Sequence, residues 1–578
     1  MEKIHFIFCC ILLFFLLSTP IASANHVYYN NGPMEKFEEL NTESRNNYFD
    51  GYVLFAPDSS RTTYLMNKQK EILVTWTGQY TPGRSVYLLE NGNILKTAYL
   101  GIHQIFLAGG MGGAVQEMDV DGRVVWEFIY SDNNHLSHHD IEILPNGNIL
   151  MIAWEYKSRT EAISEGRNPN LIVFDQLWPD HIIEVKPTGP AKGEIVWEWH
   201  VWDHLIQDFD PTKNNYGDVA DHPELIDINF FENPLNVHPD WNHINSIDYS
   251  EQFDQILLSV NAFNEIWVID HSTTTEQAAG HKGGNSGKGG DILYRWGNPR
   301  TYGRGNEDDR VYYHQHDATW IDEGYSGAGN ILVFNNGDGR PDGSYSSIVE
   351  FVPPVDENGF YNISQDLAYG PTSPCWIYTA SKPSDFFAKR TSGAQRLADG
   401  NTLICESSKG KFFEVTSEKD TVWQYVNPYP NPSRNSVFKI RQYNADHAGI
   451  EAILDKPKIP EKPDGPLAGN FNEEYTYTTV TTDTQGDDVF YEFDWGDETN
   501  SSWIGPFPSG ERVSVKHRWT EQKTYQIRVK AKDMHGHVSG WSEEKNIIIT
   551  RFRPYIGIPF LRFLFTIFRS FTFFDSFS

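Results

Sequence analysis

The segment His138-His-Asp-Ile-Glu-Ile-Leu-Pro-Asn-Gly-Asn-Ile-Leu150 decides the reading of the fold. An alternating apolar run is followed by Asn-Gly and then by a second apolar run. That is the mark of a β-hairpin, because Asn and Gly tolerate the positive φ of a tight turn. The signature recurs at Leu89-Glu-Asn-Gly-Asn-Ile-Leu95, Gly329-Asn-Ile-Leu332 and Leu397-Ala-Asp-Gly-Asn-Thr-Leu403. A second kind of strand ends in tryptophan, as in Arg123-Val-Val-Trp126, Gly193-Glu-Ile-Val-Trp197, Leu293-Tyr-Arg-Trp296 and Thr421-Val-Trp423. No stretch between them shows sustained helical periodicity. Repeated strand units over roughly 400 residues predict an all-β chain whose main domain is a six-bladed β-propeller. A β-solenoid is the runner-up, but its repeats would be shorter and more regular.

Outward from this region, the N-terminus reads as an export signal over residues 1–24. A basic start, an apolar run over 4–17 and Ala22-Ser-Ala24 fit the three parts of such a signal, and the run is too short for a membrane span. The propeller is assigned to 25–450 and a Pro-rich, charged linker to 451–466. A small β-sandwich is assigned to 467–550, on alternating strands such as Phe490-Tyr-Glu-Phe-Asp-Trp495 and Tyr525-Gln-Ile-Arg-Val-Lys-Ala531. The tail, 551–578, is dense in Phe, Ile and Leu, with Arg562 and Arg569 seven residues apart; it reads as a segment for membrane-surface contact or a processed sorting tail. With two of the four cysteines inside the signal, Cys375 and Cys405 are expected to pair in an exported protein.

Composition narrows the function classes. There are 47 Lys and Arg against 78 Asp and Glu, a net charge of −31. That balance speaks against a nucleic-acid partner, which needs clustered cations. It also means that any anionic substrate must be held by a local positive site working against the overall field.

Register supplies the candidate site. Counting back eight residues from the turn glycines Gly147 and Gly400 gives His139 and Ser392, and from Gly92 gives Arg84. Two further segments, Asp240-Trp-Asn-His-Ile-Asn-Ser-Ile-Asp-Tyr249 and His314-Gln-His-Asp-Ala-Thr-Trp320, precede equivalent strands. In a propeller these positions converge on one axis, so His139, His243 and His316 are expected to be neighbours. Histidine clusters bind metals, act as acid and base, or act as nucleophiles, and the residues alone leave all three open. Asp140 and Asp317 would add carboxylates to a metal site, yet no His-Glu-x-x-His spacing occurs. His200 and His204 read as part of an aromatic segment flanking the site.

These segments bring a family into view. The 240–249 stretch followed by Leu257-Leu-Ser259 resembles the bacterial-type aryl-sulfate sulfotransferases. So do Gln315-His316 with Leu332-Val-Phe-Asn-Asn-Gly-Asp-Gly-Arg340, His138-His-Asp140, and Ser392-Gly-Ala-Gln-Arg396. The resemblance implies an exported six-bladed propeller that moves a sulfuryl group from an aryl sulfate to a phenol, without nucleotide donor, metal or other cofactor. It implies a ping-pong reaction through a sulfohistidine, with His316 as nucleophile and His243, His139 and Asn245 contacting the sulfuryl oxygens. Ser392 falls in the last of the motifs. Where the family carries a sulfate-binding Arg, this chain has Asn261, and Arg340 and Arg396 are the candidate replacements. A metal- or cofactor-dependent propeller enzyme and a non-catalytic ligand-binding propeller are the alternative readings. The passages Phe493-Asp-Trp-Gly-Asp497 and Ala531-Lys-Asp533 resemble a polycystic-kidney-disease-type sandwich, a spacer module.

Overall fold

The computed structural model describes residues 48–551 except 232–237, 365, 455, 484, 485 and 535. The expected signal and the apolar tail lie outside the described residues.

Six four-stranded antiparallel units, called sheets below, follow one another along the chain; the second and third are joined into one eight-stranded sheet by a single parallel pairing, Arg84↔His139. The innermost strands of the second to sixth sheets are β1 (Pro82–Leu88), β2 (His135–Ile143), β3 (Ile244–Ser250), β4 (His316–Trp320) and β5 (Gly393–Arg396). The first sheet takes its inner strand, β6 (Val437–Tyr443), from the far end of the chain, paired in the register Val53↔Gln442 and Leu54↔Arg441. Each inner strand touches the next in the order β1, β2, β3, β4, β5, β6, and β6 returns to β1, so the six form a closed ring. Sealing the ring with strands from both ends ties the two ends of this region into one sheet.

Packing explains why the strands read as they do. Neighbouring sheets enclose an apolar wedge: Leu54, Leu65 and Trp76 of the first meet Val86, Leu88 and Ile94 of the second. Alternate residues of one strand serve opposite wedges. Leu257 faces the fifth sheet with Ile266 and Val268, whereas Leu258 faces the third with Trp267 and Ile256. Both faces are therefore buried, and the central strands are continuous apolar runs rather than strict alternations.

Outer-strand tryptophans bridge between sheets, among them three of the strand-ending ones and Trp376, which opens its strand. Trp126 Nε1 donates to the Lys192 carbonyl, Trp296 to that of Pro371, Trp376 to that of Ser417 and Trp423 to that of Lys68, each an acceptor in the following sheet. A buried indole N–H needs such a partner, and the repeat supplies it. The turns differ from the expected type with two positive-φ residues. Only the glycine has positive φ, as at Gly147 and Gly400, while Asn146 and Asp399 accept through their side chains from the amide two residues on. The loop is thus a turn closed by a left-handed glycine, with an Asx side chain in place of a second left-handed residue.

Two boundaries shift. Helix α1 (Ala448–Leu454) crosses the expected start of the linker, and Ile450 and Ile453 join the apolar wedge of the first two sheets. The segment beyond it is extended and bonded to the C-terminal domain, with Glu461 N donating to Val480 O and Asp464 pairing with Thr478. That domain is a five-stranded sheet facing a two-stranded one around Tyr477, Tyr491, Phe493, Trp495 and Trp519.

The expected disulfide is not present. Cys375 and Cys405 are free thiols. Cys405 is buried in the sixth sheet among Val53, Phe55 and Phe412, with its Sγ near the Val437 carbonyl. Cys375 sits at the outer edge of the fifth sheet, where its Sγ faces the Glu350 carbonyl. The first is near the ring centre and the second at the rim, so the separation of inner and outer strands keeps them apart.

Candidate functional site

A ladder irregularity recurs where the inner strands approach the ring axis. The register breaks between Pro82 and Val86 in β1, Ser137 and Ile141 in β2, Ile244 and Ser246 in β3, and His316 and Thr319 in β4. Non-glycine residues with positive φ lie at these breaks or just before β3 and β5: His139 (53°), His243 (54°), Asp317 (50°), Thr391 (57°) and Ser392 (87°). A bulge re-aims side chains, and left-handed backbone at such residues costs about 1–3 kcal/mol each. Five strained positions on one axis mark a built site rather than a packing accident.

The strain brings the three predicted histidines together. The His139 and His243 rings are edge to face, with centroids 4.7 Å apart. Buried Phe438, from β6, lies 5.9 Å from the His139 ring and 6.2 Å from the His316 ring, forming a floor between them.

Their proton states differ, and neighbours determine each. His316 Nδ1 is 2.8 Å from Asn336 Oδ1. The Asn336 amide nitrogen donates to the carbonyls of Ala388 and Thr391, both at 2.8 Å, which fixes which end of the amide is oxygen. His316 Nδ1 therefore carries the proton and Nε2 presents a lone pair, which accepts from Thr391 N at 3.2 Å. Burial pushes the His316 pKa down to about 3, so the ring is neutral across the physiological range. His243 is the opposite case. Burial would lower its pKa, but the Asp240 carboxylate, 2.5 Å from Nδ1, holds it above the ordinary value. Asp240 in turn accepts from Trp154 Nε1 at 2.8 Å. The His243 side chain keeps 21% of its surface exposed, enough to exchange a proton with a ligand. His139 is buried and held neutral by desolvation and by the His243 charge. A chain runs from it through His138 Nδ1 at 2.8 Å to Asp180 Oδ1, 2.8 Å from His138 Nε2. Gly110 covers the His139 ring, and a Cβ there would fall 2.0 Å from it.

One residue further along β2 and β4 lies a second layer. Lys439 Nζ is 2.6 Å from Asp140 and 3.2 Å from Asp317, and Arg441 pairs with Asp317 at 2.8 Å. Asp140 also accepts from Tyr87 of the second sheet, and Asp317 from the Ala394 amide of the sixth. Burial opposes ionisation of Asp317, but Arg441 and Lys439 hold its pKa near 2. These carboxylates, weighed above as metal ligands, are instead tied to cations beneath the histidines.

The remaining expected site residues divide. Asn245 and Asn261 both donate through Nδ2 to the Gln315 carbonyl, at 2.8 and 3.0 Å, and so set the backbone just before His316. Ser392 is buried, with its Oγ accepting from Ser407 N; its neighbour Thr391 is the one that meets His316. Arg396 is closed by Glu350 and the Ser326 carbonyl between the fifth and sixth sheets. Arg340 lies on Tyr345 with Asp342 and Ser347. The cation whose charge reaches His139 and His243 is Arg84, bridged through β1 to His139 itself. Its partner Asp58 is 3.4 Å away, and burial pushes that carboxyl upward, so the pair is a weak one. The register count had already landed on Arg84. Asp240 and Asn336 lie inside quoted segments but were given no role there, and Phe438 and Gly110 carry no local motif that marks them.

Residues 87–451 match the family model Arylsulfotransferase (ASST). The chain belongs to the arylsulfotransferase family. It is 26% identical over 310 residues to the arylsulfate sulfotransferase AssT of Escherichia coli O6:H1, a match covering 48% of this chain and 46% of that protein. The chain thus aligns with about half the length of this relative. Among solved structures, it is similar to a PKD domain of an M14-like peptidase from a Thermoplasmatales archaeon, 41% identical over 17% of this chain and 98% of that one, with a TM-score of 0.16. It is also similar to a protein of unknown function from Bacteroides caccae, 14% identical over 68% of this chain and 99% of that one, with a TM-score of 0.38.

Proposed function

We propose that this arylsulfotransferase is an exported six-bladed propeller that transfers a sulfuryl group from an aryl sulfate to a phenol through a sulfohistidine on His316. The observation that carries the reading is the opposite setting of two imidazoles at the ring centre. His316 keeps a lone pair on Nε2 and burial pushes its pKa down to about 3, whereas the Asp240 carboxylate, against burial, raises the His243 pKa above its ordinary value. A nucleophile and an acid are what the first half of such a transfer requires.

In the first step the Nε2 lone pair of His316 forms a bond to sulfur. The bond from sulfur to the aryl oxygen breaks, and that oxygen leaves with the electron pair and takes the proton of His243. The Thr391 amide, at the long distance of 3.2 Å from Nε2, gives way to the sulfur and then donates to a sulfuryl oxygen. Arg84 and the proton-bearing face of His243 balance the sulfuryl charge where the family Arg is replaced by Asn261. In the second step an acceptor phenol returns its proton to His243. Its oxygen attacks sulfur, the N–S bond breaks and His316 is restored. Asp240 stabilises the charged state of His243 in both halves. Cofactors have no part in this scheme, and the C-terminal sandwich, read as a PKD-type spacer, lies outside the chemistry. Export rests on the N-terminal signal reading.

The test is turnover of an aryl sulfate with and without a second phenol. The reading expects phenol release to accelerate with acceptor and to vanish in His316→Ala. Release that is unchanged in that variant contradicts it.

A further inference from the structure

The fourth sheet carries a long insertion, residues 271–293, before its last short strand, Tyr294–Trp296. Six of its residues are glycine, and a single helical turn, Thr275–Ala278, interrupts it. A loop of this length and composition loses much entropy on ordering and calls for a fixed attachment. The attachment is a cluster of side chains well removed in sequence from the histidines of the ring centre.

His204 enters this cluster from the segment that follows the third sheet. Its side chain is fully buried and its ring stacks on Trp199, with centroids 5.7 Å apart. Nε2 is 2.8 Å from the Ala278 carbonyl, which only accepts, so Nε2 bears a proton. Nδ1 then faces Asp291 Oδ1 at 2.9 Å. The same oxygen is 2.7 Å from Nδ1 of His281, whose side chain is 58% exposed. The three potential ligand atoms lie within 4.8 Å of one another. Two imidazole Nδ1 atoms thus converge on one carboxylate oxygen, one of them on a fully buried ring. The bond from Nε2–H to a backbone carbonyl is the outer partner that fixes a metal-binding imidazole in its tautomer.

We propose that His204, His281 and Asp291 form a divalent-cation site of zinc type that fastens the 271–293 insertion to the segment after the third sheet. Two imidazole nitrogens and one carboxylate oxygen suit such an ion, and the exposed side at His281 leaves the fourth position to water. The site is structural and separate from the sulfuryl-transfer residues. Because its ligands come from distant segments, ion binding and loop ordering are one equilibrium.

The test uses the untagged full-length chain, stripped with chelator and titrated with zinc chloride in a calorimeter, with thermal unfolding and limited proteolysis alongside. The proposal expects one equivalent bound, a rise in Tm and slower cleavage within 271–293. It expects His281→Gln, a change at an exposed ring, to weaken binding at least tenfold and to erase the Tm rise, with aryl-sulfate turnover as in the parent. Asp291→Asn is the second variant, with the same loss of binding expected. No binding up to millimolar zinc overturns the proposal. So does zinc binding that both variants leave intact, which would place the ion elsewhere, for example on the ring-centre histidines.

Discussion

Two adjacent layers at the ring centre use neighbouring residues of the same strands for opposite ends. His139 and His316 stand in the upper layer; Asp140 and Asp317, next to them in sequence, stand in the lower one. In the lower layer each carboxylate has a cation within 2.6 to 3.2 Å and further donors from other sheets. Buried charge is tolerated only when it is matched in this way. In the upper layer each partner holds one side of its ring: Asn336 meets His316 Nδ1 and Asp240 meets His243 Nδ1, while His316 Nε2 has the Thr391 amide at the longer distance of 3.2 Å and Arg84 stands 3.4 Å from Asp58. The comparison teaches that the ring's permanent electrostatics are satisfied below, leaving the upper groups free to meet a ligand.

Substitutions can break this division. After the loss expected in His316→Ala, the largest expected effect is on turnover in His243→Gln, which removes the proposed acid. Release of poorly acidic phenols is expected to fall by about 10²–10⁴, with a smaller loss for acidic phenols that leave unaided, and comparison across a series of aryl sulfates checks this. The pH profile sharpens the same point. His243 has a raised pKa, so its charged form is present below that value and is lost as pH rises through it, and turnover is expected to decline on the alkaline side. Asp240→Asn removes the cause of the shift and is expected to move that decline to lower pH. His316, at about 3, adds no inflection near neutrality.

Asp317→Asn acts on the lower layer. It leaves Arg441 and Lys439 short of a buried carboxylate and is expected to cost about 3–5 kcal/mol in denaturant unfolding, with modest change in turnover per folded molecule. The parent protein should lose the Asp317 contribution as pH falls below the ordinary carboxyl value toward about 2, since its folded pKa is depressed. The variant should lack that part of the acid dependence. The smallest effect is expected for Arg84→Gln: a rise of about tenfold in KM for the sulfate donor, about 1.4 kcal/mol, with kcat nearly kept. An unchanged KM would remove Arg84 from anion binding.

The sequence shows a repeated β architecture because turn glycines and strand-ending tryptophans are local needs that recur in most of the sheets. It shows His139 by its distance from a turn glycine, and His243 and His316 because their polar segments precede equivalent strands. Asp240 and Asn336 face the Nδ1 atoms of His243 and His316; both stand in quoted segments, yet their partners are visible only in three dimensions. Asn336 reaches His316 across a strand pairing, and Phe438 arrives from the strand that closes the ring. Arg340 and Arg396 were attractive as cations near motifs, but each already has an acidic partner, which sequence distance does not reveal. The paired cysteines failed likewise, because two thiols in an exported chain say nothing of inner and outer strands.

The central claim is a covalent intermediate on His316, and intact-protein mass after brief exposure to an aryl sulfate without acceptor tests it most directly. The account predicts a gain of one SO₃ per chain, mapped to His316, discharged by added phenol and absent from His316→Ala. Phenol release by the parent with no such adduct, or an adduct that persists in His316→Ala, would contradict it.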